Sequence, residues 1–221
     1  MNNDIKRKSI LLSVFVVLIG LAVAGGTYAW LTTTANVTNA TYNATSNCFL
    51  VDYLDTNQIS GTMFPSVNYT KGLTGKVSLK INSSCNITGT GRIYLHANST
   101  TSTKFGTTAV AHCENATTLE TLDDYDTTSE CSSGNGSWVT NGTVLKYAIF
   151  DNSTGTGTPL RVGYFDGSKI GNDMLLYDGF QITSTQNNYY IFLWLDGYLT
   201  DNTYTNLTFD GYIRAAGTQS D

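Results

Sequence analysis

The run Tyr189-Tyr190-Ile191-Phe192-Leu193-Trp194-Leu195 is the most strongly β-forming stretch of this chain of 221 residues. Its length and aromatic content favour a strand over a helix, and the turn residues Asp196-Gly197 end it. Because the run is apolar at consecutive positions, both of its faces must be covered. We therefore predict a central strand of a sheet, with Ile191, Leu193 and Trp194 in the core.

Apolar and polar side chains alternate with a period of two in three further segments, 77–81, 93–97 and 209–215. Such alternation is typical of strands with one face in the core and the other in water. The predicted core positions in these segments are Val77, Leu79, Ile81, Ile93, Leu95, Phe209 and Ile213. Together with the central run and shorter apolar segments, these give nine or ten predicted strands, and almost no helical periodicity follows residue 30. We therefore predict an all-β domain, an antiparallel β-sandwich of jelly-roll type.

Two other regions carry local signals. Asp166-Gly167 stands between the short apolar runs 160–165 and 174–177 and predicts a β-hairpin. The irregular segment 98–141 contains the acidic run 123–126, where a calcium site is conceivable. The run lacks the Asp-x-Asp-x-Asp-Gly spacing of such sites, so a solvated loop is the preferred interpretation.

The amino terminus has the three parts of an export signal. A basic cluster, residues 6–8, precedes the uncharged apolar run Ile10–Ala24, and small residues follow. Signal peptidase could cut after Ala24 or after Ala29. Alternatively, residues 10–31 carry no charge and are just long enough to remain as a membrane anchor. We predict that residues 1–29 form a signal peptide or apolar helix that contacts the membrane before processing, and that the protein is secreted to the cell surface.

Residues 30–47 are rich in threonine, carry no charge and lack a clean apolar alternation. They are predicted to form an extended arm with weak register of its own, ahead of a sandwich domain at 48–221. The arm's apolar residues, which are the candidate contacts with a partner, are Trp30, Leu31, Val37, Ala40, Tyr42 and Ala44.

All four cysteines lie in the exported part, which predicts two disulfides with three open pairings. We favour Cys48 with Cys85 and Cys113 with Cys131, because the second pair brackets a surface loop. Zinc is disfavoured because there is no Cys-x-x-Cys motif.

Asparagine sequons are unusually frequent. Twelve of the twenty asparagines stand in Asn-x-Ser/Thr, and this excess predicts N-linked glycans, the alternative being an unmodified Thr/Asn-rich β surface. The candidates are Asn36, Asn39, Asn43, Asn68, Asn82, Asn86, Asn98, Asn115, Asn135, Asn141, Asn152 and Asn206.

Several function classes are disfavoured by composition. The net charge is −5 and the only basic run lies in the signal, which argues against nucleic-acid binding. No His-Glu-x-x-His, Gly-x-Ser-x-Gly or phosphate-binding glycine loop occurs, so neither an enzyme nor a cofactor is expected. A glycosidase-like carboxylate pair stays open, since such residues meet only in space.

Both ends of the chain resemble a known family. The basic cluster, the apolar run and the exit Gly-Gly-Thr-Tyr-Ala-Trp at 25–30 are similar to the signals of the biofilm fibre proteins TasA and camelysin. The segments 189–197 and 208–213 resemble the closing strands of the same family. The middle of the chain shows no resemblance. The cysteines and sequons depart from the bacterial pattern and fit archaeal pilus relatives.

This resemblance implies a jelly-roll subunit that forms a homopolymer, head to tail, by donor-strand complementation. An extended uncharged arm suits such a role, because main-chain hydrogen bonds to an open sheet edge tolerate loose register. Two alternatives stay open: a monomeric surface or adhesion domain anchored by its apolar helix, and a type IV pilin-like subunit that retains that helix.

Overall fold

The structure is a computed structural model that describes residues 33–34, 48–52 and 57–220. The described chain is dominated by antiparallel strands, which confirms the all-β class. The strands are β1 (Thr33–Thr34), β2 (Phe49–Asp52), β3 (Gly61–Met63), β4 (Pro65–Ser66), β5 (Leu73–Ile81), β6 (Thr88–Ala97), β7 (His112–Asn115), β8 (Gly136–Val139), β9 (Leu145–Phe150), β10 (Arg161–Tyr164), β11 (Asp173–Ile182), β12 (Asn187–Asp196), β13 (Leu207–Phe209) and β14 (Gly211–Ser220). The α-helix of the described part is α1 (Thr128–Ser133).

The six-stranded sheet has the order β10-β9-β12-β5-β2, and β4 adds to β12 in parallel. The predicted central strand is β12, and both of its faces are buried. Ile191 and Leu193 lie in the main core, whereas Phe192 and Trp194 join Ala148 and Phe150 in a second cluster on the opposite face. The prediction of a strand covered on both sides is confirmed.

The four-stranded sheet has the order β1-β14-β6-β11. Its inner face and that of the six-stranded sheet enclose one core, to which each alternating segment contributes as predicted. The predicted core positions on β5, β6, β13 and β14 are all buried, namely Val77, Leu79, Ile81, Ile93, Leu95, Phe209 and Ile213. The period of two therefore placed these side chains correctly.

The segment with little regular pattern has structure of its own. Strands β7 and β8 pair, α1 lies between them in sequence, and the Cys113–Cys131 disulfide links β7 to the helix. Residues 107–143 are called the covering segment below, because part of this segment lies over the outer face of the six-stranded sheet, where Leu119 packs against the second apolar cluster. Ala109 of the same segment lies in the main core. The Tyr69 ring, in a 3₁₀ turn, covers the same cluster by contacting Phe150, Phe192 and Trp194.

The hairpin predicted at Asp166-Gly167 is wrong. The flanking strands belong to different sheets, since β10 pairs with β9 and β11 pairs with β6. Asp166 instead caps a 3₁₀ turn by accepting the Ser168 amide at 2.9 Å. Gly167 lies against Gly106, where a Cβ would come within 2.7 Å of the Gly106 Cα. Asp is favoured as a cap of a 3₁₀ turn and Gly where two backbones approach closely, and a tight hairpin turn favours the same two residue types. The dipeptide alone therefore did not distinguish the two structures.

The predicted export signal at residues 1–29 lies outside the described residues. Within the part that the structure describes, no helix is long and apolar enough to span a membrane. Most of the predicted arm also lies outside that part, and only Thr33–Thr34 of it is described, as β1.

Candidate functional site

The outer edge of β14 receives two short segments from the amino-terminal half of the chain. Thr33 and Thr34 of β1 stand opposite Gly217 and Ala216. Further along β14, residues 57–59 bind by main-chain hydrogen bonds, with the Ile59 amide donating to Gly211 at 3.0 Å. Strand β14 is thus an edge that accepts short added strands, which is the property required of an acceptor in strand addition.

The chain that follows the arm is fixed to the sandwich beside this edge. Cys48 is bonded to Cys85, one of the two disulfides of the structure. Phe49 is buried against Gly89 and Gly217, where a Cβ would lie only 2.5 to 2.6 Å from its ring. The two glycines are therefore required for the close approach of the ring. The carboxyl-terminal end of the arm is therefore joined to residues that the disulfide and the buried ring fix to the sandwich.

The arm's predicted contact residues, Trp30, Leu31, Val37, Ala40, Tyr42 and Ala44, lie outside the described residues. The sequon asparagines Asn36, Asn39 and Asn43 also lie outside the described residues. The other nine asparagines are all exposed or half-buried. The N-linked glycans at these positions stay a prediction.

The acidic run 123–126 lies in the covering segment, with three of its four residues exposed. Across the described ranges, no group of three or more His, Cys, Asp and Glu side chains is arranged to hold a metal ion.

A second candidate site is a buried charged cluster, which we call the lysine cluster, formed by Lys146, Glu114 and Asp196. The Lys146 side chain projects from β9 onto the outer face of the six-stranded sheet and is 0% exposed. Its Nζ lies 2.7 Å from Asp196 Oδ2 and also contacts the Glu114 carboxylate. Glu114 and Asp196 are 0% and 2% exposed. Burying such charges is costly unless they are paired and hydrogen-bonded.

Further partners complete the lysine cluster. Lys146 Nζ donates to the Leu119 carbonyl at 2.9 Å and to Thr121 Oγ1 at 3.3 Å. Asp196 accepts from the Thr121 hydroxyl at 2.8 Å and from the Tyr198 amide at 2.9 Å. The covering segment therefore supplies most of the polar partners that this face of the sheet needs.

Glu114 is hydrogen-bonded to two more side chains, His112 and Tyr164. Burial acts to raise its pKa, but the hydrogen bond with His112 and the charge of Lys146 outweigh burial, so the pKa lies below the ordinary 4.5. Burial, followed by the hydrogen bond to Glu114, raises the pKa of the Tyr164 hydroxyl far above its ordinary 10.0. Tyr164 therefore remains a neutral donor to an ionised Glu114.

On the outer face of the four-stranded sheet, His96 is half-buried. Its Nδ1 lies 2.7 Å from Asp173 Oδ1, and its ring stacks on Tyr212 at a centroid distance of 4.6 Å. Asp173 also pairs with Arg214. These groups come together because β11, β6 and β14 are neighbours in the sheet.

Sequence reasoning missed the lysine cluster. The signal that could have found it is Lys146 itself, a single charge within the otherwise apolar strand Leu145–Phe150. Its partners could not have been identified in this way, because they stand at distant positions in the sequence.

No family model, no curated protein and no solved structure matches this chain.

Proposed function

We propose that this chain is an exported, non-enzymatic structural subunit of an extracellular filament at the cell surface. The arm 30–47 of one copy would complete the four-stranded sheet of the next, so that subunits of jelly-roll type join head to tail. The apolar helix would hold the subunit at the membrane until processing, and N-linked glycans would decorate the exposed sequons.

The observation that carries this proposal is the pairing of Thr33 and Thr34 with Ala216 and Gly217 on β14. It is an antiparallel strand pair between the arm and a sheet edge, although here within one chain. Residues 35–47 separate the pair from Cys48 and could span about 40 Å when extended. An arm of this reach can leave its own sheet and bind the same edge of a neighbour, which is strand exchange between copies.

A cysteine pair distinguishes exchange from pairing within one chain. Thr34 and Ala216 are direct cross-strand partners, and the Cα separation of such partners falls within the range of disulfides. We expect Thr34→Cys with Ala216→Cys, oxidised after assembly, to give a ladder of covalent oligomers on a denaturing gel without reductant. The single substitution Thr34→Cys is the control and should give no ladder. Cross-links confined to single chains would favour the anchored monomeric domain instead.

Deleting residues 30–46 should leave a folded domain that forms no fibres under the electron microscope. A synthetic peptide of these residues, added in excess, should raise the melting temperature of the truncated domain, because it binds only the folded state. Fibres that persist without the arm would refute donor-strand assembly.

Proline in the arm tests the role of main-chain hydrogen bonds. Val37→Pro or Tyr42→Pro should impair assembly, since proline cannot donate to a neighbouring strand. Thr33→Val with Thr34→Val, which retains every main-chain donor, is the matched control and should still assemble.

Amino-terminal sequencing of the exported protein separates the remaining alternatives. A start at Trp30 supports the filament subunit, an intact Met1 the anchored domain, and a start at Ile10 a type IV pilin-like subunit.

A further inference from the structure

The Lys146 amine and the Asp196 carboxyl group are in contact, and these are the two groups that condense to form an amide. They project from neighbouring strands, β9 and β12, and the Lys146 nitrogen lies 2.7 Å from Asp196 Oδ2. Both side chains are held by further hydrogen bonds, which keep the nitrogen beside the carboxyl group. Reactants fixed in this way have effective concentrations far above any attainable in solution.

The surroundings exclude water. Trp194, directly opposite Lys146 on β12, is buried, and so is Glu114 on the other side of the amine. Two buried charges disappear when an ammonium and a carboxylate condense, which relieves their desolvation cost. Glu114 would keep His112 and Tyr164 as partners after the reaction. The buried Glu114 carboxylate therefore has hydrogen-bond partners both before and after the bond forms.

We propose that Lys146 and Asp196 form an intramolecular isopeptide bond, with Glu114 as the general base. The ammonium passes one proton to Asp196 Oδ2 across their contact, which gives a neutral amine and a carboxylic acid. The nitrogen lone pair then forms a bond to Cγ. Glu114, in contact with the nitrogen, accepts a second proton and returns it to the departing oxygen. The Cγ–Oδ2 bond breaks and water leaves, so the reaction needs neither an oxidant nor a reductant.

The hydrogen bonds distinguish the two carboxyl oxygens of Asp196. Oδ1 accepts the Tyr198 amide at 2.9 Å, a donor placed where negative charge develops during the attack. Oδ2 accepts the Thr121 hydroxyl at 2.8 Å, which assists its departure as water. Oδ1 accordingly becomes the amide oxygen.

His112 positions Glu114 for the role of base. The His112 Nδ1 lies 2.6 Å from the Val110 carbonyl, which can only accept, so Nδ1 is the donor of that contact. Its Nε2 lies 2.6 Å from Glu114 Oε1, the same oxygen that contacts the Lys146 nitrogen. The ring is thus held from both sides and fixes the carboxylate beside the amine, as a general base requires.

Peptide mapping of the full exported chain tests the bond. We expect a branched peptide that joins the β9 and β12 segments and is lighter than the two linear peptides together by one water. Trypsin should not cleave after Lys146 in that species. Recovery of both segments only as linear peptides, with cleavage after Lys146, would overturn the proposal.

Two variants at the site sharpen this test. Glu114→Gln keeps both reacting groups and should give linear peptides, with circular dichroism and formation of both disulfides reporting whether it folds. Asp196→Asn should still form the branched peptide, now with loss of ammonia in place of water. Asp173→Asn on the other sheet is the matched control and should retain the bond. A branched peptide in Glu114→Gln would refute the role of Glu114 but not the bond itself.

Discussion

On the outer face of the six-stranded sheet, Lys146 and Trp194 are buried, whereas on the outer face of the four-stranded sheet Arg214 and Tyr212 keep contact with solvent. Both faces carry charged pairs and aromatic side chains. The covering segment and the Tyr69 turn lie over the first face. The contrast follows from both: β12 is apolar at consecutive positions and is covered on its outer face, whereas β6 and β14 alternate and turn their polar side chains outward.

This difference determines how much similar contacts contribute to the free energy of unfolding. We call the outer face of the four-stranded sheet the open face. The ion pair of Arg92 with Asp178 on this face is about half exposed, so water and salt weaken the attraction between the two charges. In the lysine cluster no water competes, so each charge depends on its protein partners and the loss of one partner leaves another charge uncompensated. The following predictions test this contrast, from the largest expected effect to the smallest.

Trp194→Ala should lower the free energy of unfolding by about 3 to 5 kcal/mol, because it opens a cavity beneath Tyr69 and the covering segment. Tyr212→Ala, an aromatic truncation on the open face, should cost about 1 kcal/mol or less, as surface substitutions usually do. Denaturant unfolding of both variants measures the difference. Equal losses would show that the two faces are not distinct.

Acid should destabilise the protein through Glu114. Its folded-state pKa lies below the ordinary 4.5, so its contribution is fully present above about pH 4.5 and is lost as the pH falls through the folded value. Glu114→Gln should therefore flatten the fall in melting temperature below pH 4.5, although the variant starts from a lower stability. Asp124→Asn, the same chemical change in the exposed acidic run, controls for the loss of one negative charge. If the melting temperature of Glu114→Gln fell with pH as steeply as that of the wild type, the prediction would be wrong.

The smallest effect is expected for Arg92 and Asp178 on the open face. A double-mutant cycle with Arg92→Ala and Asp178→Ala should give a coupling energy of about 0.2 to 1 kcal/mol. Raising the salt concentration to about 1 M should remove most of it, because the screening length then falls to about 3 Å. A larger coupling that resists salt would mean that this pair is more protected than its exposure indicates.

The two candidate sites differ in how far the sequence predicted them. The uncharged arm indicated strand addition, but the edge that Thr33 and Thr34 contact could not be read from the sequence, because β14 is far from them along the chain. The lysine cluster escaped prediction altogether. A lone lysine in an apolar strand carries no information about which distant carboxylates will meet it.

The sequence alone determined what depends on neighbours along the chain. The period of two placed Val77, Leu79 and Ile81 on the inner face, and the consecutive apolar residues of β12 predicted a strand covered on both sides. The favoured disulfide pairing is the one that forms, and it was favoured because one bridge closes a single loop, although the sequence left three pairings open. These features follow from alternation and chain connectivity, which are local.

Only the tertiary structure decided which elements meet. It sends β10 and β11 to different sheets, although Asp166-Gly167 is as compatible with a hairpin as with the capped turn that forms. It also places Glu114 and Asp196 around Lys146 from separate strands. The physical reason is that strand pairing uses main-chain groups that are the same at almost every residue, so the choice of partner depends on how the whole set of apolar faces is buried at once.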